Sequence, residues 1–314
     1  MHKVRIIIPT NRADFLKEIC QFYKNKKFDV TIVHSFKLKN KLKASKNIKF
    51  IYYNDTLTKR LIYVLNRTKE KYVTIMADDD FVFVDSINKS INFLEKNNEY
   101  FAAQGLHHRF QVKNNHIKFF PRAMKAMMNF NEDSKFINLR LLQSFTFKFI
   151  DKFYIVMKRK DLMNICKTCL PIEKYSRVLI EYYWIICCAI SGKSKILNNI
   201  YCFRREHKKN DTKITTSIGL DKAICDKNFI KILIDCLNNF QKKSKIKKNF
   251  NKKILFLILI IFRLKIILKG KFKIIRILLD KLRNLREKKL EKNYKLIQKI
   301  EKEKIEFLKK IVLN

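Results

Sequence analysis

Three consecutive carboxylates, Asp78, Asp79 and Asp80, follow closely on the apolar run Tyr72 to Met76. Like charges this close repel one another unless a cation or a polar network meets them. Hard oxygen ligands in such a cluster suit Mg²⁺ or Mn²⁺, commonly shared with substrate phosphates. The competing reading is a solvated acidic turn that caps the following helix. A second candidate is Glu181, set among Leu179, Ile180, Tyr182, Tyr183 and Trp184. An apolar wall raises the pKa of a carboxylate and improves it as a proton acceptor, which a general base requires. The alternative is a Glu on the polar face of a core helix. Arg204, Arg205 and His207 could close over a phosphate or complete a metal shell. His107 and His108 read more readily as a hairpin edge, and Met124, Met127 and Met128 as core packing. Cys166 and Cys169 form a C-x-x-C, but no second pair or His cluster completes a zinc site. The eight cysteines are therefore expected to be buried, reduced thiols.

The elements that must position these groups alternate. Val4 to Ile8, Val30 to Val33, Ile48 to Tyr53, Tyr72 to Met76 and Tyr100 to Ala103 read as strands. Helical spacing appears in Leu16, Ile19, Cys20 and Tyr23, in Leu57, Leu61, Val64 and Leu65, and in Ile87, Ile91 and Leu94. Such alternation predicts a mostly parallel sheet flanked by helices, with ligands at the carboxyl ends of the strands. Arg109 to Phe119, centred on Asn114-Asn115, reads as a β-hairpin. Phe153 to Val156 is a further strand candidate, Ser176 to Ile190 an apolar helix, and Lys195 to Leu197 with Ile200 to Phe203 a pair of short strands.

The 314 residues carry 70 Lys and Arg against 28 Asp and Glu, a net charge of +42, so an anionic partner is expected: nucleic acid, membrane surface or phosphorylated substrate. AT-rich codon usage accounts equally well for part of the excess Lys. Residues 241–314 alone hold 25 basic and 6 acidic residues and read as helix throughout. No apolar run reaches the roughly 18–20 residues of a spanning helix; Ile254 to Leu268, the nearest, is interrupted by Arg263 and Lys265. The opening MHKVRIIIPT runs into a strand pattern rather than a secretory leader. Nucleic-acid recognition has only the charge in its favour, because no helix-turn-helix, zinc-finger or aromatic RNA-binding motif is present.

The opening V-R-I-I-I-P-T-N-R, the strand Thr31 to Val33 and Y-V-T-I-M-A-D-D-D-F occur in the order and spacing of the GT-A glycosyltransferases. The chain resembles a divergent family-2-like member of these nucleotide-sugar enzymes over roughly residues 3–210. Looser matches are I-E-Y-Y-W around Glu181 and the stretch from Gly192 to Glu206. The resemblance implies a GT-A (Rossmann-like) domain over 1–215 and a basic helical region over 216–314. It implies that Pro9, Thr10, Asn11 and Arg12 line the nucleotide pocket. Asp78 or Asp79 would meet the ribose or sugar, and Asp80, with Asp78 and His207, would hold Mn²⁺ or Mg²⁺. Lys59 or Arg60 would approach the diphosphate, with Lys59 taken as the candidate, and Arg204 would close over it. Glu181 would be the base. The implied reaction is transfer, with inversion, from a nucleoside-diphosphate sugar (UDP-linked) to a surface-glycan or lipid-linked acceptor. Two positions depart from the pattern: His34-Ser35 stands where the second strand usually ends in Asp, and Glu181-Tyr182 replaces Glu-Asp. The first departure bears on the identity of the nucleotide and the second on the base, and an inactive, acceptor-binding relative is the minor alternative they leave. For the tail, Ile254 to Leu268 with its Lys border predicts docking on an anionic membrane surface, at the inner face of the cytoplasmic membrane. A helical pair packed on the domain, or a coiled-coil homodimer through 278–311, is the alternative.

Overall fold

A computed structural model describes residues 3–37, 45–128, 132–147, 152–206, 219–246, 251–271 and 291–313. The chain opens with β1 (Val4–Thr10), α1 (Leu16–Tyr23), β2 (Asp29–His34), β3 (Ile48–Tyr52), α2 (Leu57–Arg67) and β4 (Tyr72–Ile75). These four strands pair in parallel, in the order β3-β2-β1-β4. The short β5 (Phe81–Val82), α3 (Val84–Lys96), the long β6 (Tyr100–Lys113) and β7 (His116–Phe120) follow. Next come α4 (Pro121–Met127), α5 (Ile137–Leu142) with a π-helical turn at Gln143–Phe147, β8 (Val156–Lys158), α6 (Arg159–Tyr175), α7 (Leu179–Ser191) and β9 (Lys193–Arg205). The sheet continues from β4 through β8, β6 and β9 to β5, with β7 paired to β6. β8 runs antiparallel to both of its neighbours, so the sheet is parallel in its first half and mixed beyond.

β1 shows why four of the five residues Val4–Ile8 are apolar, the exception being Arg5, which pairs with Glu70. Ile7 enters the core on one face of the sheet, while Val4, Ile6 and Ile8 enter the core on the other. A strand covered on both faces has no polar side to display. The first core is roofed by α2, α6 and α7, and the second by α1, α3 and α4. The expected hairpin forms: Lys113 pairs with His116 across Asn114 and Asn115, whose φ of 50° and 57° suit a two-residue turn.

Two expectations need correction. Lys195–Leu197 and Ile200–Phe203 do not pair with one another; both belong to the single strand β9, which lies parallel to β6. The register irregularity falls at Gln104/Leu106, where Gly105 lets Asn199 approach: a Cβ there would meet the Asn199 carbonyl oxygen at 2.5 Å. The strand expected at Phe153–Val156 starts only at Val156, and Phe153 and Tyr154 turn to the site described below. His107 and His108 are buried within β6, and Met124 and Met127 are core residues.

The C-terminal helices are α8 (Leu220–Ala223), α9 (Lys227–Ser244), α10 (Lys252–Lys271), α11 (Glu291–Ile300) and α12 (Lys302–Val312). α9 and α10 bury Leu233, Leu237, Phe240, Leu255, Leu259 and Phe262 in the first core. α11 and α12 bury Tyr294, Ile297, Leu308 and Ile311 in the second. Residues 278–290, more than a third of the stretch suggested for a coiled coil, lie outside the described residues.

Candidate functional site

The carboxyl ends of β1 and β4 open into a cleft of about 400 Å³. Four segments far apart in sequence line it: Pro9 to Arg12 after β1, Ala77 to Asp80 after β4, Arg177 to Glu181 at the start of α7, and Arg204-Arg205 at the end of β9. Leu57 and Arg60 from α2 and Phe153-Tyr154 before β8 complete the wall. Parallel strands β1 and β4 end side by side, so the loops that leave them must meet at this edge.

Within the cleft the acidic trio is divided among distinct partners. Arg12 reaches Asp78 at 2.8 Å and Asp79 at 2.9 Å through the same Nη2. Thr10 Oγ1 donates to Asp78 at 2.5 Å. Asp80 accepts the Arg205 backbone N–H at 2.7 Å and lies 3.6 Å from the Arg204 guanidinium. Burial raises the Asp78 carboxyl, against the pull of its hydrogen bonds from Arg12 and Thr10. Asp80 is pushed up to about 7, first by burial and then by the Asp79 charge, with Arg204, the Arg205 N–H and Tyr154 pulling the other way. Burial opposes the charge on Arg12, yet Asp78 and Asp79 hold that guanidinium above its ordinary range.

The opposite wall is cationic. Arg60 is buried, and its Nη1 donates to the Thr10 carbonyl at 2.7 Å. Its Nε–H has no hydrogen-bond partner among the described residues. Burial, and then the neighbouring positive charge of Arg177, lower its pKa. Two guanidinium groups beside a cavity, one carrying an unsatisfied buried N–H, make a setting that an anionic ligand would complete. Arg204 stacks over Tyr154 at 4.6 Å. Arg205 is turned into the fold instead: it pairs with Glu18 and lies over Phe15 and Phe110.

The structure gathers Pro9, Thr10, Asn11, Arg12, Asp78, Asp79, Asp80, Glu181 and Arg204 around one cavity. Lys59 is not among them. It is exposed, and its Nζ meets Asp55 at 3.2 Å, one turn earlier. The inward face of α2 carries Leu57, Arg60, Leu61 and Val64, so Arg60 enters the cleft and Lys59 points away. His207 lies outside the described residues. His34 is buried, its Nδ1 2.7 Å from the Phe36 carbonyl oxygen, among Phe36, Phe50 and Tyr52 rather than in the cleft. Reading the sequence missed Phe153, Tyr154 and Arg177. Arg177 lies in the turn that leads into α7, two residues before the helix begins, so helical spacing from Glu181 does not account for its place. Tyr154 carried no signal.

As a test of metal fit, the donor chemistry discriminates within the trio. Asp78 accepts one hydrogen bond from Thr10 and two from Arg12, which fill three of its roughly four acceptor sites and give it a bracing role that the sequence did not announce. Asp80 accepts from the Arg205 N–H and from Tyr154, with the Arg204 guanidinium 3.6 Å away, which still leaves part of the carboxylate's roughly four acceptor sites for a cation. No three His, Cys, Asp or Glu side chains converge on one point among the described residues. That donor set suits an ion held by one or two carboxylates together with ligand oxygens, the habit of Mg²⁺ and Mn²⁺ at phosphates.

No protein-family model matches the sequence, and no curated protein matches it. Among solved structures, residues 1–349 of S. aureus TarS in complex with UDP superpose with a TM-score of 0.49 at 10% identity, covering 87% of this chain and 73% of that one. The same TarS fragment in complex with UDP-GlcNAc gives 0.46 at 12% identity, over 97% and 92%. A longer S. aureus TarS structure gives 0.45 at 13% identity, and there the match covers 95% of this chain but 55% of that one.

Proposed function

We propose that this chain is a glycosyltransferase that moves a sugar from a nucleoside-diphosphate donor to a hydroxyl acceptor, with inversion. The observation that carries the reading is the single cleft shared by the acidic trio, by Glu181 and by a buried Arg60 whose Nε–H lacks a protein partner. Departure of a nucleoside diphosphate requires stabilisation of the charge that develops on it. Arg60, Arg177 and Arg204 are disposed to supply that stabilisation, and Arg60 replaces Lys59 in this role. Asp80 is the residue that would hold Mg²⁺ or Mn²⁺ at the diphosphate, where such an ion supplies Lewis-acid charge stabilisation. Asp78 braces Arg12 and Thr10 so that the β1 loop keeps the shape of a nucleotide-binding wall. Asp79, hydrogen-bonded to the same guanidinium, is the candidate for a ribose or sugar hydroxyl. Glu181, at the first turn of α7, takes the acceptor proton as the hydroxyl attacks. The acceptor is a glycan of the cell surface, growing free or on a lipid carrier.

A thermal-shift series with UDP, UDP-GlcNAc and other nucleotide sugars, each with and without Mn²⁺, tests the reading. A ligand that binds the folded state raises the melting temperature by mass action. The expected result is a shift from at least one nucleotide sugar that Mn²⁺ enlarges. Asp80→Asn should remove the Mn²⁺ increment while leaving the melting temperature of the free protein unchanged or higher, because a buried carboxylate is costly. No shift from any nucleotide or nucleotide sugar would overturn the proposal.

A further inference from the structure

α10 is apolar on two opposite faces. Leu255, Ile258, Leu259 and Phe262 are buried against the domain, whereas Phe256, Leu257, Ile261 and Leu264 are exposed at 42%, 56%, 40% and 51%. Helical phase places these sets roughly half a turn apart. A soluble surface helix normally shows charge on its outer side. α5 packs beside α10 and adds Phe136 and Leu139, exposed at 70% and 47%. Six of the nine exposed large apolar residues among the described residues therefore sit on two adjoining helices. A concentration of this kind marks an interaction surface.

The surrounding charge identifies the partner. Between residues 236 and 279 the sequence holds thirteen Lys and Arg and no Asp or Glu. Lys252 and Lys253 are exposed at the start of α10, Lys242, Lys243 and Lys245 at the end of α9, and Lys135 beside Phe136. A second copy of the chain would bring an equal cationic border against this one, since a twofold interface sets each patch against itself. Nucleic acid would meet aromatic and aliphatic side chains where its phosphates need cations. No helix among the described residues is long and apolar enough to cross a membrane. An apolar face ringed by Lys suits the boundary of an anionic bilayer, with the apolar side chains among the acyl chains and the ammonium groups at the headgroups.

We infer that the outward faces of α5 and α10 form a two-helix docking patch for an anionic lipid surface. This deepens the proposed function, on which it rests only for the acceptor: Tyr182, the residue after Glu181, packs against Phe262 of α10 with ring centroids 6.0 Å apart. A bilayer on the patch would thus lie on the Glu181 side of the cleft, where a lipid-linked acceptor would arrive.

Flotation of the full chain with phosphatidylglycerol-containing vesicles, and with pure phosphatidylcholine vesicles, tests the inference. The parent protein should float with the anionic vesicles at low salt and lose binding at high salt. Leu257→Glu/Ile261→Glu should lower the bound fraction about tenfold or more, and Phe136→Ser should lower it less. Nucleotide-sugar thermal shifts of these variants should equal the parent's, which separates a failure of docking from a failure of the donor site. The inference falls if the parent ignores anionic vesicles at low salt, if it binds neutral vesicles equally well, or if the double variant floats like the parent. It falls also if sedimentation shows a parental dimer that the double variant converts to monomer with lipid binding intact.

Discussion

The cleft and the seat of α12 both hold cations against carboxylates, and they do so differently. At α12, Lys304 Nζ meets Ser86 Oγ at 2.8 Å, the Ile200 carbonyl at 3.0 Å, Asp85 at 2.8 Å and Glu301 at 2.7 Å. An ammonium has three N–H groups, so this one is saturated by the protein, and none of its partners lines the cleft. In the cleft, five arginines and four carboxylates line open volume, Arg60 retains an unsatisfied Nε–H, and Asp80 is pushed up to about 7. A closed cluster fastens one element to another. A cluster around a cavity keeps charge ready for a ligand, at a cost in stability that the rest of the fold must offset.

The largest effect should come from the cleft. Glu181→Gln keeps shape and hydrogen bonding but removes proton acceptance, so turnover should fall ~10²–10⁴-fold. Steady-state kinetics beside a melting curve would check this, with donor affinity and melting temperature expected to stay at parental values. Turnover within a few-fold of the parent would place the base elsewhere and blur the comparison.

Acid should act on both regions, with opposite signs. His108 stacks on Phe119 and lies 3.3 Å from the Tyr294 hydroxyl of α11, and burial pulls its pKa from 6.5 down to about 4. A depressed folded-state pKa means that the unfolded chain binds the extra proton between those values. Stability is therefore full above pH 6.5 and declines as pH falls toward 4, by about 3 kcal/mol at most for this one residue. His107, buried and also lowered, adds in the same direction. Asp80, raised to about 7, acts in the opposite sense over the same window, so His108 is read from a difference: in urea unfolding between pH 6.5 and 4, His108→Phe should lose less stability, or gain more, than the parent. An unchanged slope would remove His108 from the account.

The smallest of these effects should be a pure loss of stability. Lys304→Met deletes charge-assisted hydrogen bonds at a partly buried site and should cost ~1.5–3 kcal/mol, with turnover per folded molecule unchanged. Chemical denaturation and an activity assay on the same preparation would separate the two. A fall in turnover without a fall in stability would show that the closed cluster communicates with the cleft.

Much of this could be read along the chain. The apolar run Val4 to Ile8, interrupted only by Arg5, announces a strand covered on both faces, and the Asn114-Asn115 turn announces β6 and β7, because both follow from interactions within a few residues. The acidic trio at the end of β4 and the loop after β1 are legible for the same reason: their positions depend on where strands stop. The sequence could not decide which of Lys59 and Arg60 enters the cleft, since that depends on the side of α2 its neighbours cover. Nor could it bring Tyr154 and Arg177 to Asp80, because only the tertiary fold sets residues some 75 to 100 positions apart side by side. α10 shows the limit most plainly. A helix apolar all round has no periodicity to name its inner face, so only packing against Phe145 and Tyr182 determined which apolar residues became core and which were left outside.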